Sequence, residues 1–516
     1  MAAAKVWPRW LNAYEPRARA TTMSAGTVAV IGLGVMGRGI ARLFAGGGFT
    51  VMAADADEVR TRSGLETLTA EARGEGHAVT VTALVDGARA DLVIEAVSEE
   101  MEAKGAALAR AASVMGPDTV IATNTSSLSV DDLAARTDRP THVLGLHFFN
   151  PPSRMQLVEV VVGSRTAPAA VDRAMAWVEQ VGRIPVRCVD SPGSLVNRVC
   201  RPLYMEAQLL VQEGVAPATI DVLARRALGH RMGPLETLDL AGLHVHVAAC
   251  ESAWHAFGEP RYAPSQIARR LVRAGHTGRS AGRGFYDHAS GRPSAQQESL
   301  VRPSMAATRP VDVLGPGAAD LLHLSTKPPR GTGVALWRDA AASTDDDVVG
   351  VRGLVDAGRD VVVDSSDARW LVDLPPGASW LHLHHRDGNA VAEVVDDQRA
   401  RIQPGAAVDE VLGWFGADAV STPAIAGLVV DRLWTGLVNE ATLLVEQAIA
   451  EADDIDTALR LAMGHPVGPF EVLADVGASR ALAVLDMLAD RTRDPRYRAS
   501  ALLRRLAAAD QRGVSS

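Results

Sequence analysis

The segment VAVIGLGVMGRGIARLFAGGGFTVMAAD, residues 28–55, restricts the possible folds more than any other part of this chain. The apolar run from Val28 to Ile31 is typical of a buried parallel strand, and a helical pattern follows it. Between them stands G-x-G-x-x-G, formed by Gly32, Gly34 and Gly37. A second apolar run ends at Asp55, 23 residues after the first glycine. The segment therefore predicts a β-α-β unit.

Each part of this unit fits the binding of a dinucleotide. Gly32 permits a tight turn, Gly34 lets the backbone approach a pyrophosphate, and Gly37 lets the helix pack on the strand. The helix N-terminus offers free N–H groups to the phosphates. Asp55 stands where a carboxylate accepts a hydrogen bond from a ribose 2′-hydroxyl and repels a 2′-phosphate. The pattern favours NAD over NADP; a glycine-rich turn without a ligand is the alternative.

The order of patterns along the chain predicts the fold class and the domains. Alternating strands and helices indicate a Rossmann-type doubly wound parallel α/β sheet, and long amphipathic helices then indicate an all-α domain. A reduced Rossmann-like unit and a second all-α copy follow. The predicted parts are a disordered extension (1–24), a NAD-binding domain (25–190), a helical domain (191–287), a linker (288–310), a reduced Rossmann-like domain (311–421) and a second helical domain (422–510).

Two pairs of matching segments show that the helical domain is duplicated. NRVCRPLYMEAQLLVQEG from residue 197 matches DRLWTGLVNEATLLVEQA from residue 431. ALGHRMGPLETLDLAG from residue 227 matches AMGHPVGPFEVLADVG from residue 462. Self-similarity at a fixed offset is the signature of an internal repeat. The Gly-Pro pairs at 233–234 and 468–469 recur in both copies, which indicates a structural role.

Composition excludes several classes of partner. The net charge is −9, from 52 basic and 61 acidic residues, and no basic stripe predicts contact with nucleic acid or an anionic membrane. No apolar run reaches the roughly 20 residues of a membrane span. Three cysteines, Cys188, Cys200 and Cys250, show no CxxC spacing. They predict no metal site and a reducing, cytoplasmic compartment.

Four further segments place polar residues at strand ends or helix starts. They are NTSSL, GLHFFNPPSRMQLVEVV, SPGSLVNR and EAVSEEMEAK. Oxidation of an alcohol by NAD needs a base that takes the hydroxyl proton, and histidine suits this because its reference pKa is about 6.5. A carboxylate behind the histidine fixes its tautomer, while serine and asparagine can hold the developing oxyanion.

The runs TNTSSL, GLHFFNPP, LVEVV, SPGSLVNR and GPLETLDLAG resemble the NAD-dependent L-3-hydroxyacyl-CoA dehydrogenases. The chain is most similar to the longer bacterial forms, the 3-hydroxybutyryl-CoA or 3-hydroxyadipyl-CoA type, which carry two helical copies. The resemblance extends over nearly everything after residue 25. It implies oxidation of an L-3-hydroxyacyl-CoA, or the reverse reaction, within fatty-acid metabolism, β-oxidation or phenylacetate degradation.

The resemblance also implies roles for individual residues. By it, His147 is the catalytic base and Glu159 its partner, Ser126 binds the substrate hydroxyl, and Asn197 positions the substrate. The nicotinamide end of the cofactor is lined by Glu99, Lys104, Asn124 and Asn150.

Three departures from the family pattern put the binding of the acyl-CoA in question. Only 36 residues separate Asp55 from Asp91, where relatives have a longer helical excursion. Ser280 stands where a lysine is common, and Ser194 where a large apolar residue is usual.

The duplication predicts an internal pseudo-dimer and one active site. Single-copy members of the family pair two subunits through the helical domain, so the two copies here are expected to pack on each other, whether or not the chain also forms a homo-oligomer. The apolar faces concerned lie around Leu203, Leu210, Leu437 and Leu444.

The second α/β unit departs from the pattern of the first. Asp320 replaces the third glycine, and Asp431 matches Asn197. His384 and Glu393 resemble the catalytic pair, but they are 9 residues apart instead of 12. One NAD per chain is therefore expected.

Two other functions remain open on the sequence. The opening GLGVMGRGIA also resembles β-hydroxyacid dehydrogenases acting on free acids, which use a lysine on the interdomain helix; NRVCRPLYMEA contains none. The second alternative is a catalytically retired NAD-binding protein with a structural role.

Overall fold

The computed structural model describes residues 26–74, 81–84, 88–289, 301–302, 304–316, 334–338, 345–357, 359–365, 374–376, 378–386, 389–397, 402 and 404–514. The predicted extension 1–24, residues 290–300 of the predicted linker and Asp320 lie outside the described residues. No helix within the described ranges is both long enough and apolar enough to cross a membrane.

The first part of the chain is an α/β sheet with a switch point. Its strands are β1 (Thr27–Ile31), β2 (Thr50–Ala54), β3 (Val81–Ala83), β4 (Leu92–Glu95), β5 (Val120–Thr123), β6 (Val143–Phe148), β7 (Leu157–Val162) and β8 (Ile184–Val189). The helices are α1 (Val35–Gly46), α2 (Glu58–Gly74), α3 (Met101–Val114), α4 (Val130–Ala134) and α5 (Pro168–Gln180). The strand order is β3-β2-β1-β4-β5-β6-β7-β8, and only β6 and β7 pair antiparallel among these strands. The order reverses between β1 and β4, where such sheets bind ligands at the carboxyl ends of the strands.

Apolar strands and two helices form the core of this sheet. Every residue of β4 and β5 is buried, as expected for central parallel strands. Helix α1 contributes Ile40 and Phe44, four residues apart on one face, and α5 contributes Ala174 and Val178 to the same core. This packing gives a rigid base to the loops at the carboxyl edge.

The first helical copy contains a tight approach between two helices. Its elements are α6 (Leu195–Gln212), α7 (Pro217–Arg226), α8 (Pro234–Ala241), α9 (Leu243–Phe257) and α10 (Gln266–Arg273). Asp221 accepts the backbone N–H groups of Leu235 and Glu236 at 3.0 and 2.9 Å, which caps α8. A Cβ on Gly233 would lie 2.2 Å from the Asp221 side chain, and one on Gly468 equally close to Asp456. The repeated glycine is thus required in both copies by the approach of an aspartate.

The second sheet repeats the hairpin of the first. Its strands are β9 (Val311–Leu314), β10 (Val334–Arg338), β11 (Val361–Asp364), β12 (Ala378–Arg386), β13 (Asn389–Val395) and β14 (Ala417–Thr422), with helices α11 (Asp345–Asp356) and α12 (Ala406–Phe415). The order is β14-β13-β12-β11-β10-β9, and the antiparallel pair β12–β13 corresponds to β6–β7. The second helical copy follows as α13 (Val429–Glu446), α14 (Ala452–Met463), α15 (Pro469–Val476), α16 (Ala478–Thr492) and α17 (Ala501–Val514).

The chain forms two compact units, and within each unit a sheet packs on a helix from the helical copy that follows the other sheet. The first unit comprises Met1–Arg198 and Gln447–Gly468, and within it α14 packs on β7 and β8. The backbone N–H of Val189 donates to the carbonyl of Ile449 at 2.8 Å there. The second unit comprises Val199–Glu446 and Pro469–Ser516, and within it α7 packs on β13 and β14. Each sheet is therefore covered by a helix from the helical copy that follows the other sheet.

Within the second unit, α6 and α13 meet through charged and small residues. The Arg432 guanidinium donates to Glu206 and, at 2.6 and 2.8 Å, to Glu213. A Cβ on Gly436 would stand 3.4 Å from Pro202, so the two helices approach closely at this glycine. Leu203, Leu210, Leu437 and Leu444 are all buried.

Candidate active site

The glycine turn after β1 is shaped for a ligand. Gly32 has φ +98°, and a Cβ there would lie 2.6 Å from the carbonyl oxygen of Ala96. A Cβ on Gly37 would lie 1.8 Å from the Gly32 carbonyl oxygen, so α1 packs on the turn only with glycine at this position. A Cβ on Gly34 would meet no described atom within 4 Å. The space beside Gly34 and the free N–H groups of α1 fit a pyrophosphate.

Asp55 stands at the end of β2, next to this turn. One carboxylate oxygen accepts the Leu33 N–H at 2.6 Å, and the other accepts the Ala56 N–H at 2.7 Å. A carboxylate has about four lone-pair positions, so it can accept a ribose hydroxyl as well. The donor and acceptor set of these residues therefore fits NAD.

The β6–β7 hairpin builds a histidine–carboxylate pair. Antiparallel register sets His147 opposite Glu159, and His147 Nδ1 lies 2.8 Å from Glu159 Oε2. Glu159 is fully buried, and its Oε1 accepts the backbone N–H of Val196 at 2.8 Å. Because Glu159 has no proton to give as a carboxylate, Nδ1–H is the donor. Nε2 of His147 is then the nitrogen with a free lone pair.

The same carboxylate connects the histidine to the start of α6. Val196 lies in the first turn of α6 and precedes Asn197, whose Nδ2 donates to Ser194 Oγ at 3.3 Å. Asn124 follows β5, and its Oδ1 accepts the backbone N–H of Phe148 at 2.9 Å. Residues predicted from separate segments are thus brought to the carboxyl edge of the sheet.

Ser126 lies in a turn that is held by Glu99. Glu99 Oε1 accepts the Thr125 hydroxyl at 2.6 Å and the backbone N–H groups of Ser126 and Ser127 at 2.8 and 3.0 Å. Burial alone would raise the pKa of Glu99, but the Thr125 hydrogen bond, the charge of Lys104 and the Ser126 N–H together lower that pKa to about 2. Glu99 is therefore ionised at neutral pH.

A buried glutamate supports Lys104; the sequence places this residue, Glu95, in the segment EAVSEEMEAK but assigns it no role. Lys104 Nζ lies 3.0 Å from Glu95 Oε1 and 3.2 Å from Glu99 Oε2. Glu95 is fully buried and also accepts the Thr123 hydroxyl at 2.6 Å. The available signal in the sequence was an acid inside the apolar run ADLVIEAV. Asn150, by contrast, has an exposed side chain after β6.

The second sheet carries a counterpart of this site, with one correction to the sequence analysis. Register sets His382, not His384, opposite Glu393, so His382 takes the place of His147. His384 Nε2 nevertheless lies 2.9 Å from Glu393 Oε1. Glu393 accepts the N–H groups of Val429 and Val430, as Glu159 accepts that of Val196. His382 and His384 are two residues apart on a strand and share a face, so spacing alone could not distinguish them.

In this counterpart, an arginine stands beside the equivalent ring nitrogen. Arg480 Nη2 lies 2.7 Å from His382 Nε2 and 3.2 Å from Asp431 Oδ2. Asp364 pairs with His382 Nδ1 at 3.0 Å. Ligand atoms of His382, His384 and Asp431 lie within 4.8 Å of one another, as in a metal site. The guanidinium of Arg480 already provides the positive charge at this cluster, so the second sheet offers no free base at the position of His147.

Family models match most of the chain. The model "3-hydroxyacyl-CoA dehydrogenase, NAD binding domain" matches residues 27–191. The model "3-hydroxyacyl-CoA dehydrogenase, C-terminal domain" matches twice, at 193–288 and 427–516. The double match coincides with the two helical copies.

Individual relatives match at full or half length. The chain is 33% identical over 501 residues to a 3-hydroxyadipyl-CoA dehydrogenase of Escherichia coli, which covers 93% of this chain and 97% of that protein. It is 36% identical over 277 residues, 51% of this chain and 96% of the other, to a probable 3-hydroxybutyryl-CoA dehydrogenase of Bacillus subtilis. The crystal structure of a 3-hydroxybutyryl-CoA dehydrogenase from E. coli superposes with a TM-score of 0.74 at 30% identity, covering 95% of this chain and all of that one.

Proposed function

The chain belongs to the 3-hydroxyacyl-CoA dehydrogenase family, and we propose that its first sheet oxidises an L-3-hydroxyacyl-CoA to the 3-oxoacyl-CoA, or catalyses the reverse reduction. NAD, when bound, supplies the hydride acceptor. The single observation that carries the proposal is the buried His147–Glu159 pair at the carboxyl edge of a dinucleotide-type sheet.

His147 acts as the general base. Its Nε2 accepts the proton of the substrate C3 hydroxyl, and the resulting imidazolium keeps its Nδ1–H bond to Glu159. Because the Glu159 carboxylate is fully buried and lies 2.8 Å from Nδ1, it stabilises that positive charge at short range. In the reverse direction the imidazolium returns the proton to the forming alcohol.

Ser126 and Asn197 hold the substrate. The Ser126 hydroxyl, which lies 3.3 Å from Glu99 Oε1 in the structure, turns to donate its hydrogen to the substrate C3 oxygen, where negative charge develops as the proton leaves. Asn197 provides an amide that orients the thioester beside the start of α6. Glu99, Asn124 and Asn150 are assigned to the nicotinamide end of the cofactor site. The resemblance places Lys104 there too, but its enclosed side chain lies behind Glu99. We place the enzyme in the cytoplasm.

The first prediction is that His147→Gln removes most turnover while NADH binding persists. Glutamine keeps a hydrogen-bonding group near Glu159 but cannot take up a proton, and general base catalysis contributes about 10²–10⁴-fold. NADH oxidation with acetoacetyl-CoA, followed by absorbance, measures the rate, and NADH fluorescence measures binding. His255→Gln, at an exposed position on α9, is the matched control.

The same assay distinguishes the alternatives. Reduction of free acetoacetate in preference to its CoA thioester would indicate a β-hydroxyacid dehydrogenase. NADH binding without turnover of either substrate in the unmutated protein would indicate a retired structural protein. A rate of His147→Gln within a few-fold of normal would remove His147 from the role of base.

A further inference from the structure

Lys104 is buried to an unusual degree for a lysine in a cofactor site. Its side chain is 1% exposed, and the fully buried Glu95 lies against it. Lysine is almost never fully buried unless it is paired. The ion pair of Lys104 and Glu95 is therefore an integral part of the structure that joins β4 to α3.

The ammonium group of Lys104 is fully engaged with the protein. Nζ lies 3.0 Å from Glu95 Oε1, 3.2 Å from Glu99 Oε2 and 3.3 Å from the carbonyl oxygen of Val97. An ammonium has three N–H donors. Since three acceptors surround it and its surface is enclosed, Lys104 reaches a bound ligand only through its neighbours.

Glu99 is the neighbour that extends to the site. Its Oε2 contacts Lys104, while its Oε1 accepts the Thr125 hydroxyl and the N–H groups of Ser126 and Ser127. The carboxylate thus closes the turn that presents Ser126. A continuous path of contacts runs from the buried Glu95 to this turn.

We propose that Lys104, held by Glu95, is a positioning residue that acts through Glu99 on the Ser126 turn. The proposal rests on the proposed function only in giving Ser126 a substrate to bind. Lys104 holds Glu99 in one orientation, and Glu99 holds the backbone of residues 125–127. Glu95 keeps the ammonium in place and balances its charge.

Removing the charges of Glu95 and Lys104 singly and together separates a purely structural role of the pair from a positioning role. Removing Lys104 alone leaves the buried Glu95 without its cation, and removing Glu95 alone leaves the buried ammonium with Glu99 as its one remaining carboxylate partner among these residues; both changes destabilise the fold, the first more strongly. Removing both charges restores neutrality at that place. A purely structural pair would then recover every property, whereas a positioning pair would not.

The experiment compares Lys104→Met, Glu95→Gln, the double variant Glu95→Gln/Lys104→Met and the control Glu102→Gln. Glu102 lies on α3 as well, in an exposed ion pair with Arg136. Hydrogen exchange of the segment 124–128 reports on the turn, thermal unfolding on stability, and the acetoacetyl-CoA assay on kcat and KM.

Both single variants are expected to unfold at lower temperature, and the double variant close to the unmutated protein. The Ser126 and Ser127 amides of the double variant should still exchange at least about tenfold faster, because methionine cannot hold Glu99. kcat/KM should fall by about tenfold, while the Glu102→Gln control keeps the kcat/KM of the unmutated protein. Glu99→Ala, which spares the buried pair, should give the same faster exchange.

Three results would overturn the proposal. Exchange and turnover that recover together with stability in the double variant would make the pair structural only. Weaker NADH binding with unchanged exchange would mean that Lys104 acts on the cofactor directly. Normal amide exchange of Ser126 and Ser127 in Glu99→Ala would show that Glu99 does not hold the turn. If the unmutated enzyme does not reduce acetoacetyl-CoA, the proposed function fails, and the exchange data still decide the positioning.

Discussion

At the scale of residues, we propose that one carboxylate, that of Asp55, determines the choice between NAD and NADP. Asp55 ends β2 beside the glycine turn and accepts the Leu33 N–H at 2.6 Å. A ribose 2′-hydroxyl bound there gains a hydrogen bond to a charged group, worth about 1.5–3 kcal/mol. A 2′-phosphate bound there meets like-charge repulsion instead. Both effects disappear together when the carboxylate is removed.

We therefore expect Asp55→Ala to weaken NADH binding by about 10–100-fold, which corresponds to the loss of about 1.5–3 kcal/mol. The same change should reduce the preference of the enzyme for NADH over NADPH. Fluorescence titration with both nucleotides measures the two dissociation constants. Asp57→Ala, at an exposed position two residues on, should change neither. Equal use of NADPH by the unmutated enzyme would contradict the assignment of Asp55.

Residues of the site differ in how far sequence identifies them. His147 and Glu159 were identified through the motifs GLHFFNPP and LVEVV, which resemble those of the family, and the structure sets the two residues opposite each other in a hairpin. Glu95 stands in the segment EAVSEEMEAK, which the sequence places beside the cofactor site, but no role could be assigned to it, because an acid ending an apolar run looks like the ordinary end of a strand. Its meaning depends on Lys104, nine residues later, and only the folding of α3 onto β4 brings the two charges together.

At the scale of elements, the two antiparallel hairpins share a frame but not a function. The β6–β7 hairpin presents His147 with Nε2 available, while Arg480 and Asp364 enclose His382 on β12. Two asparagines of the first site, at positions 124 and 197, correspond to Asp364 and Asp431. In the second hairpin, charged side chains therefore occupy both ring nitrogens of the histidine, whereas the first hairpin presents a ring nitrogen that can accept a proton.

We therefore expect a titration to give one NADH per chain. Gly32, Gly34 and Gly37 provide a complete phosphate turn in the first sheet, and the second has GPGAAD in the corresponding sequence. Calorimetry measures the stoichiometry directly, and Asp55→Ala should weaken that single site. Two equivalent sites would refute the assignment of the second sheet as inactive.

At the scale of the whole molecule, the duplication was visible in the sequence and the exchange of helices was not. Repeated segments at a fixed offset reveal two copies regardless of where each copy packs. The placement of α14 on β7 and β8, and of α7 on β13 and β14, depends on contacts between residues far apart in the chain. Boundaries drawn in chain order contain no signal for such an exchange.

The exchange suggests why two halves are joined in one chain. Within the first unit, α14 from the second copy covers β7, the strand that carries Glu159. Within the second unit, Arg432 of α13 donates hydrogen bonds to Glu206 of α6 and to Glu213, the residue that follows α6. We propose that the second copy takes the place of a partner subunit, as an internal pseudo-dimer. A flexible tether holds such a partner at roughly millimolar effective concentration, so pairing does not depend on protein concentration.

The last prediction tests this replacement by truncation near residue 300. The fragment lacks α13 and α14, so Pro202 and Glu206 of α6 lose their neighbours Gly436 and Arg432, α7 loses the helix packed on it, and β7 loses its cover. Burying that apolar surface again is favourable, so the fragment should form a homodimer or aggregate. The probable 3-hydroxybutyryl-CoA dehydrogenase of Bacillus subtilis is a protein of about this length, since its match of 277 residues covers 96% of that protein. Light scattering after size exclusion gives the mass, and dilution should lower specific activity as the dimer dissociates. A fragment that stays monomeric, soluble and fully active at all concentrations would show that the second copy has another purpose.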